Sequence, residues 1–408
     1  MIMSNDSSDY IPPHVPAEKA ISLRLFDRVV IPECPQETII PEIHATLGPI
    51  TWVTNIFMAH KGGWLLTRME DIQAILRDGE NFTKRGMGKF AQSIGEDWLV
   101  IPTETDPPAH AQYREALNPY FAPQRMAAMR VNLRERATTL IDSFKDRGHC
   151  DFVHEFSEKF PIYIVLDLLG LPQERMAEFL QWEKEILHTK TLEERASGVR
   201  KVQAYLKEQI ADRRANPRDD YISRIFDYEI DGRKWNDDEI FGHCFNLFIG
   251  GLDTVTSMLG NIFTFLARYP DRQKELRENP GKIVLAVEEF LRAFAPVSVF
   301  RIAAREMEIH GQKIMPGDYV AISTPVAGRD PSYYDNPDEV RFDRRGQHIS
   351  LGYGIHKCLG MHLARLELQT ALEEFLKAIP PFRIKDGFEV GYFVGNILHV
   401  PELHLQWD

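Results

Sequence analysis

Residues 350–368 read SLGYGIHKCLGMHLARLEL, and they set a single cysteine, Cys358, among glycines just ahead of a helical pattern. Gly352 and Gly354 precede the thiol and Gly360 follows it. Glycine accepts positive φ and lets backbone approach a flat partner closely. The continuation MHLARLELQTALEEFL has apolar residues at helical spacing, which predicts a helix over about 361–378. Cys358 therefore stands before a helix N-terminus, where free N–H groups and the positive end of the dipole lower a thiol pKa and prepare a thiolate to bind a metal. Two other readings stay open on these residues: a small buried apolar side chain, or a zinc site with His356 and His362.

The rest of the chain narrows the choice. Its 408 residues carry 48 Lys and Arg against 60 Asp and Glu, a formal net charge of −12 that argues against a nucleic-acid binder. Cys34, Cys150, Cys244 and Cys358 form no CxxC pair, which suits a reducing cytoplasm better than a disulfide framework. The opening MIMSNDSSDYIPPHVP is polar and proline-broken, so residues 1–20 read as an arm, not as a signal peptide or membrane anchor. CFNLFIGGLDTVTSMLGNIFTFLA (244–267) is long enough to span a membrane. Asp253 near its middle costs roughly 2.5–3.5 kcal/mol on insertion scales, so a helix buried through a large soluble core is expected instead.

ITWVTNIF and GGWLLT read as strands and MEDIQAILRDG as a short helix. Helical periodicity dominates from about 125 to 296, and RIAAREMEIHGQKIMPGDYVAIS then reads as strands turning at His310-Gly311 and Pro316-Gly317. No linker-like stretch divides the chain. One mainly α domain over 1–408 is expected, with small β-sheets built from both ends (α+β).

The cysteine segment resembles the signature of the cytochrome P450 family, Phe-Gly-x-Gly-x-x-x-Cys-x-Gly, through Leu351, Gly352, Gly354, Cys358 and Gly360, with Leu351 in place of the phenylalanine. Further family motifs appear upstream in order. EEFLR supplies Glu289 and Arg292 of an E-x-x-R pair, and Arg344 or Arg345 in RFDRRGQ is the arginine that joins it. FIGGLDTVTS resembles the oxygen-activation motif through Gly250, Gly251, Asp253 and Thr254. Two adjacent glycines inside a helix cost roughly 1 kcal/mol each relative to alanine, and a gap for dioxygen and substrate would justify them. Thr254 is placed to bond the Gly250 carbonyl and bend the helix.

The resemblance implies a helical prism with haem b between the 244–267 helix and the Cys358 loop. It implies Cys358 as iron ligand, and Arg114, Arg301 and His356 as partners of the haem propionates. Thr254 and Asp253 are then the catalytic pair that handles protons. The implied activity is a monooxygenase reaction with dioxygen; a thiolate-ligated haem sensor or carrier and a peroxide-using haem enzyme are the competing classes. The chain has no flavin or nucleotide fingerprint, so electrons come from a partner. Arg341, Arg344, Arg345, His348, Lys357 and Arg365 outline a basic face for a soluble [2Fe-2S] ferredoxin served by a separate NAD(P)H-dependent reductase. The nearest resemblance is to the bacterial camphor-hydroxylase group, which puts Trp98 where that group has a substrate-binding tyrosine. Val100, Asn246, Leu247, Ile249, Val297, Val299, Ile397 and Met87 complete the expected pocket, and a compact apolar terpenoid or norisoprenoid is the expected substrate.

Overall fold

The computed structural model describes residues 11–56, 62–189 and 191–408; the first half of the expected N-terminal arm lies outside them. The helical pattern over 244–267 belongs to a longer helix, Asp237–Arg268. A capping box fixes its start: the Glu239 N–H donates to Asn236 Oδ1 at 2.9 Å and the Asn236 N–H to Glu239 Oε2 at 2.7 Å. Pro270 opens the next helix, Pro270–Glu278, and keeps the first from continuing. A helix that is apolar all round must be buried, and Lys159–Leu169, Leu192–Ala215 and Met361–Ala378 pack around this one. Among the described residues no helix is long and apolar enough to cross a membrane.

The sheets join distant parts of the chain, as expected. Six strands lie in the order Ala20–Ile21, Ile50–Val53, Gly63–Leu66, Tyr319–Ser323, Ser298–Ala303 and Phe82–Thr83. Gly63–Leu66 runs parallel to Tyr319–Ser323, which runs antiparallel to Ser298–Ala303 and sets Val320 opposite Arg301. Phe382–Ile384, His404–Trp407 and His149–Asp151 form a second sheet. The hairpin Met307–Ile309 to Gln312–Ile314 turns through His310 and Gly311 at φ 49° and 73°, the left-handed pair that a two-residue turn of this kind requires.

One contact carries this architecture to the functional region. The loop around residue 101 lies on the long helix where Gly242 leaves room; a Cβ there would sit 2.0 Å from the Leu99 carbonyl oxygen. The Ile101 N–H donates to the Gly242 carbonyl at 3.3 Å. The His243 Nδ1–H donates to the Ile101 carbonyl at 3.0 Å, which leaves Nε2 to accept the Tyr221 hydroxyl at 2.9 Å. Burial holds this histidine down to about 4, so it stays neutral. Alanine at Gly242 gains about 1 kcal/mol of helix propensity, but the clash with backbone costs about 1–3 kcal/mol. Gly242→Ala should therefore melt below wild type in a thermal scan; a higher melting temperature would show that the loop does not bear on the helix.

Candidate active site

The Cys358 loop is closed by its own backbone: the Cys358 N–H donates to the Leu351 carbonyl at 2.8 Å. Gly352 and Gly354 hold φ of +75° and +67°, and a Cβ on Gly354 would meet the Leu76 carbonyl oxygen at 2.4 Å, so the turn needs glycine there. Burial pushes the Cys358 thiol up, while the Gly360 N–H and the charges of Arg114 and Arg365 pull it down without cancelling the effect. This corrects the expectation of a lowered thiol, because dehydration of the loop outweighs the helix end. A thiolate here is stable once a cation binds it directly, which is the behaviour of a metal ligand. Among the described residues, the groups able to share a metal ion are Asp151–Glu402–His404 and Glu183–His188–Asp253. Cys358 is in neither, so His356 and His362 do not build a zinc site around it.

Across from the thiol lies a cavity of about 280 Å³, walled by Leu351, Cys358 and Gly360 on one side and by Gly250, Gly251 and Thr254 on the other. The two glycines serve different ends. A Cβ on Gly250 would meet nothing within 4 Å, whereas one on Gly251 would lie 2.6 Å from Val165 Cγ2 in Lys159–Leu169. Gly250 thus opens the helix to the cavity, and Gly251 lets a neighbouring helix approach. Thr254 Oγ1 donates to the Gly250 carbonyl at 3.0 Å, as expected.

Asn246, Leu247 and Val297 line this cavity, and Thr103, unread in the sequence, donates from Oγ1 to Asn246 Oδ1 at 2.7 Å. Trp98, Val100, Ile249, Val299, Ile397 and Met87 stand outside its wall. The Trp98 indole is edge-packed on Phe241 and Phe245, at 4.7 and 5.0 Å between centroids, in the core behind the pocket. Val100 is fully buried, Ile249 and Met87 pack against the main core, and Val299 against the cluster under the sheet. Ile397 bridges Val297 from behind. Asp253 also turns away: it lines a second cavity on the other side of the helix.

One end of the first cavity is densely cationic. Lys84, His110, Arg114 and His356 line it, with the buried Arg301 beside them. Burial and the Arg301 charge bring Lys84 down to about 7, burial and Arg114 bring His110 to about 4, and burial with Lys84 takes His356 far below its usual range. Burial lowers Arg301 to about 10. The nearby carboxylates are engaged elsewhere: Asp106 accepts from the Thr83 hydroxyl and the Lys84 N–H, and Glu104 from the Val100 and Gly88 N–H groups. His110 Nε2 is buried with no partner. Cations that depress one another beside an orphaned ring nitrogen make a receptor for anions, and they fit the two carboxylates of a haem whose iron meets Cys358. His110 precedes Arg114 by four on the helix Ala109–Leu117, a spacing that could have revealed it; Lys84 has no local signal.

The cytochrome P450 family model matches residues 162–380. A probable cytochrome P450 127A1 of Sinorhizobium fredii is 35% identical over 402 residues, covering 97% of this chain and 97% of its own length. The chain belongs to the cytochrome P450 family. Among solved structures, CYP101J2 superposes with a TM-score of 0.87 at 29% identity, and CYP101C1 with 0.84 at 31%; each comparison covers 98% of this chain and 100% of the other. Both lie in the camphor-hydroxylase group that the motifs resemble. The protein is accordingly a haem-thiolate monooxygenase with the P450 fold.

In this P450 the proximal scaffold is knotted by Glu289 in Ile283–Ala293. Its carboxylate accepts two bonds from Arg292, both 2.8 Å, one from Arg344 Nε at 3.1 Å and one from the Arg341 N–H at 2.9 Å. Arg292 also donates to the Gly328, Pro337 and Glu339 carbonyls. The third member is thus Arg344; Arg345 is exposed. The expected basic face shrinks as a result. Arg344 turns inward, Arg341 pairs with Asp343 at 3.1 Å, and His348 and Arg365 both pair with Glu288, at 3.1 and 2.6 Å. Arg345 and Lys357 remain exposed and outside any ion pair among the described residues. Removing one partner of a buried ion pair costs about 3–5 kcal/mol. Glu289→Gln should lose stability of that order in urea unfolding of the holoprotein, and a loss below about 1 kcal/mol would refute the knot.

Proposed function

We propose that this P450 hydroxylates a compact apolar molecule carrying one hydrogen-bond acceptor, of terpenoid or norisoprenoid type, with electrons from a soluble [2Fe-2S] ferredoxin and its separate NAD(P)H-dependent reductase. The observation that carries this reading is the wall of the cavity beside the Gly250–Thr254 turn, where Leu247 and Val297 are apolar and Asn246, with Thr103, supplies a polar edge. The Thr103 hydroxyl occupies Asn246 Oδ1 and leaves both Nδ2 hydrogens for a ligand oxygen.

Cys358 is the iron ligand in this reading, with Leu351 and Gly352 shaping its turn and Gly250 and Gly251 lining the opposite face. Arg114, Arg301 and His356, joined by Lys84 and His110, hold the propionates. When bound, the haem supplies activation of dioxygen, and thiolate donation favours O–O cleavage. Thr254, anchored on the Gly250 carbonyl, presents its hydroxyl to the cavity and holds a proton-donating water there. Asp253 replenishes that proton from the other side of the helix. Leu247 and Val297 exclude other water and hold the substrate. The exposed Arg345 and Lys357 offer positive charge to an acidic ferredoxin, and four free cysteines suit a cytoplasmic setting.

The reduced carbon monoxide complex should show the red-shifted thiolate Soret band, lost in Cys358→His; a histidine-type band in wild type would overturn the ligand assignment. With β-ionone as probe, Asn246→Leu should weaken the spin-state titration about 3–10-fold, the worth of one hydrogen bond. Binding of the corresponding hydrocarbon without the ketone should stay the same. Equal losses for both ligands would remove Asn246 as the polar anchor.

A further inference from the structure

Asp253 faces a cavity of about 610 Å³ that the haem side of the helix does not share. There it meets two residues from the neighbouring helix and its end, Glu183 in Met176–Leu187 and His188 just past it. His188 Nε2 lies 3.1 Å from Asp253 Oδ1 and 3.4 Å from Glu183 Oε1. Ser257 Oγ donates to the same Asp253 oxygen at 3.2 Å. Both carboxylate side chains are only 5% exposed, and Asp253 Oδ2 and Glu183 Oε1 have no hydrogen-bond partner among the described residues. The His188 ring is held in place by His399 at 4.4 Å and Phe393 at 5.9 Å between centroids. One ring nitrogen therefore serves two buried carboxylates, one beside the catalytic threonine and one at the edge of a solvent-sized space.

We propose that Glu183 and His188 are the solvent side of the proton path of this P450: Glu183 takes a proton from water in the cavity, and His188 hands it to Asp253. The proposal rests on the reading of Thr254 and Asp253 as the proton-handling pair. The transfer balances without an electron. The His188 imidazolium gives its Nε2 proton to Asp253 Oδ1, the Glu183 carboxyl reprotonates that nitrogen, and cavity water reprotonates Glu183. Rotation of the protonated carboxyl carries that proton round to the place of Oδ2, which no other group among the described residues engages, and Asp253 passes it on from there.

The three groups rest in different charge states, and the step from His188 to Asp253 is the uphill one. Burial, with the Asp253 charge, lifts Glu183 to about 7, so it exchanges protons at neutral pH. Burial opposes the His188 charge, but Asp253 and Glu183 outweigh it and hold the imidazole up at about 10. His188 keeps Asp253 ionised despite burial. His399, lowered to about 4 by burial and by His188, is no competing acid. The other charges around the cavity are already paired: Glu158 with Lys184 at 2.9 Å, Glu185 with Lys201 at 2.7 Å, and His154 with Asp151 at 2.7 Å. Glu194 accepts from the Thr191 hydroxyl at 3.0 Å.

Infrared titration of the reduced carbon monoxide holoprotein tests this without turnover. A protonated-carboxyl C=O band should disappear as pH rises, with its midpoint near 7. The band should be absent in Glu183→Gln, present in Glu158→Gln and shifted in Glu183→Asp. With β-ionone, a surrogate ferredoxin and its reductase, Glu183→Gln and His188→Gln should lower product formed per NADH about 10-fold and raise the solvent isotope effect. Glu183→Asp should recover part of the coupling. A wild type without the band, or Glu183→Gln with wild-type coupling and isotope effect, overturns the proposal. If Thr254→Ala and Asp253→Asn also couple like wild type, the underlying reading fails with it; if they uncouple while Glu183→Gln does not, only the path through Glu183 is wrong.

Discussion

Glu289 is a carboxylate buried in protein and surrounded by donors: two from Arg292, one from Arg344 and one from the Arg341 backbone. A charge in that position is tolerated only while every one of its bonds is made. The constraint reaches outward, since Arg292 draws the Gly328, Pro337 and Glu339 carbonyls to one point and Arg344 draws in Asp335 and Asn336. A long stretch without regular structure thereby becomes a fixed platform under the Cys358 loop. The fit is close, because a Cβ on Gly328 would stand 2.1 Å from the Arg292 carbonyl oxygen.

The cationic end of the cavity is the mirror case. There the protein buries charge that it does not itself neutralise, and Lys84, His110 and His356 are all driven toward their uncharged forms. Such an arrangement costs stability in the bare polypeptide, and in the proposed reading the carboxylates of the cofactor would relieve it. In that reading, binding energy for the haem would come from charge stranded during folding as well as from the thiolate.

How much of this the sequence could tell depended on how local each feature is. The Cys358 turn, the helix after it, the Gly250–Thr254 turn and the Glu289–Arg292 spacing are written in contiguous residues, and all stand in the structure as read. Position across the fold is not written in that way. Periodicity gives a helix face but not which neighbour it meets, so Trp98 and Val100, read as pocket residues, are instead buried in the core, and Ile249 packs against it. Lys84 reaches the site from the end of a two-residue strand, and Thr103 because Gly242 lets its loop settle on the helix. The charge cluster near Cys358 illustrates the same limit: a count of basic residues does not show that Glu288 engages two of them and Glu289 a third.

Asp253 and Thr254 are neighbours in sequence, but about 100° of helical turn separates their side chains. Thr254 therefore opens on the cavity above the thiol and Asp253 on the cavity behind the helix. A single helix wall thus keeps the cavity above the thiol apart from the one that, in the proposed path, exchanges protons with solvent. The wall is thin at this turn because Gly250 carries no side chain and Gly251 is filled by Val165 from the next helix. Placing the acid at position 251 or the threonine at position 256 would set both on a single side, and the protein would lose the separation while keeping every residue type. The order Gly-Gly-x-Asp-Thr is thus a statement about which face each group occupies, and the chemistry follows from that placement.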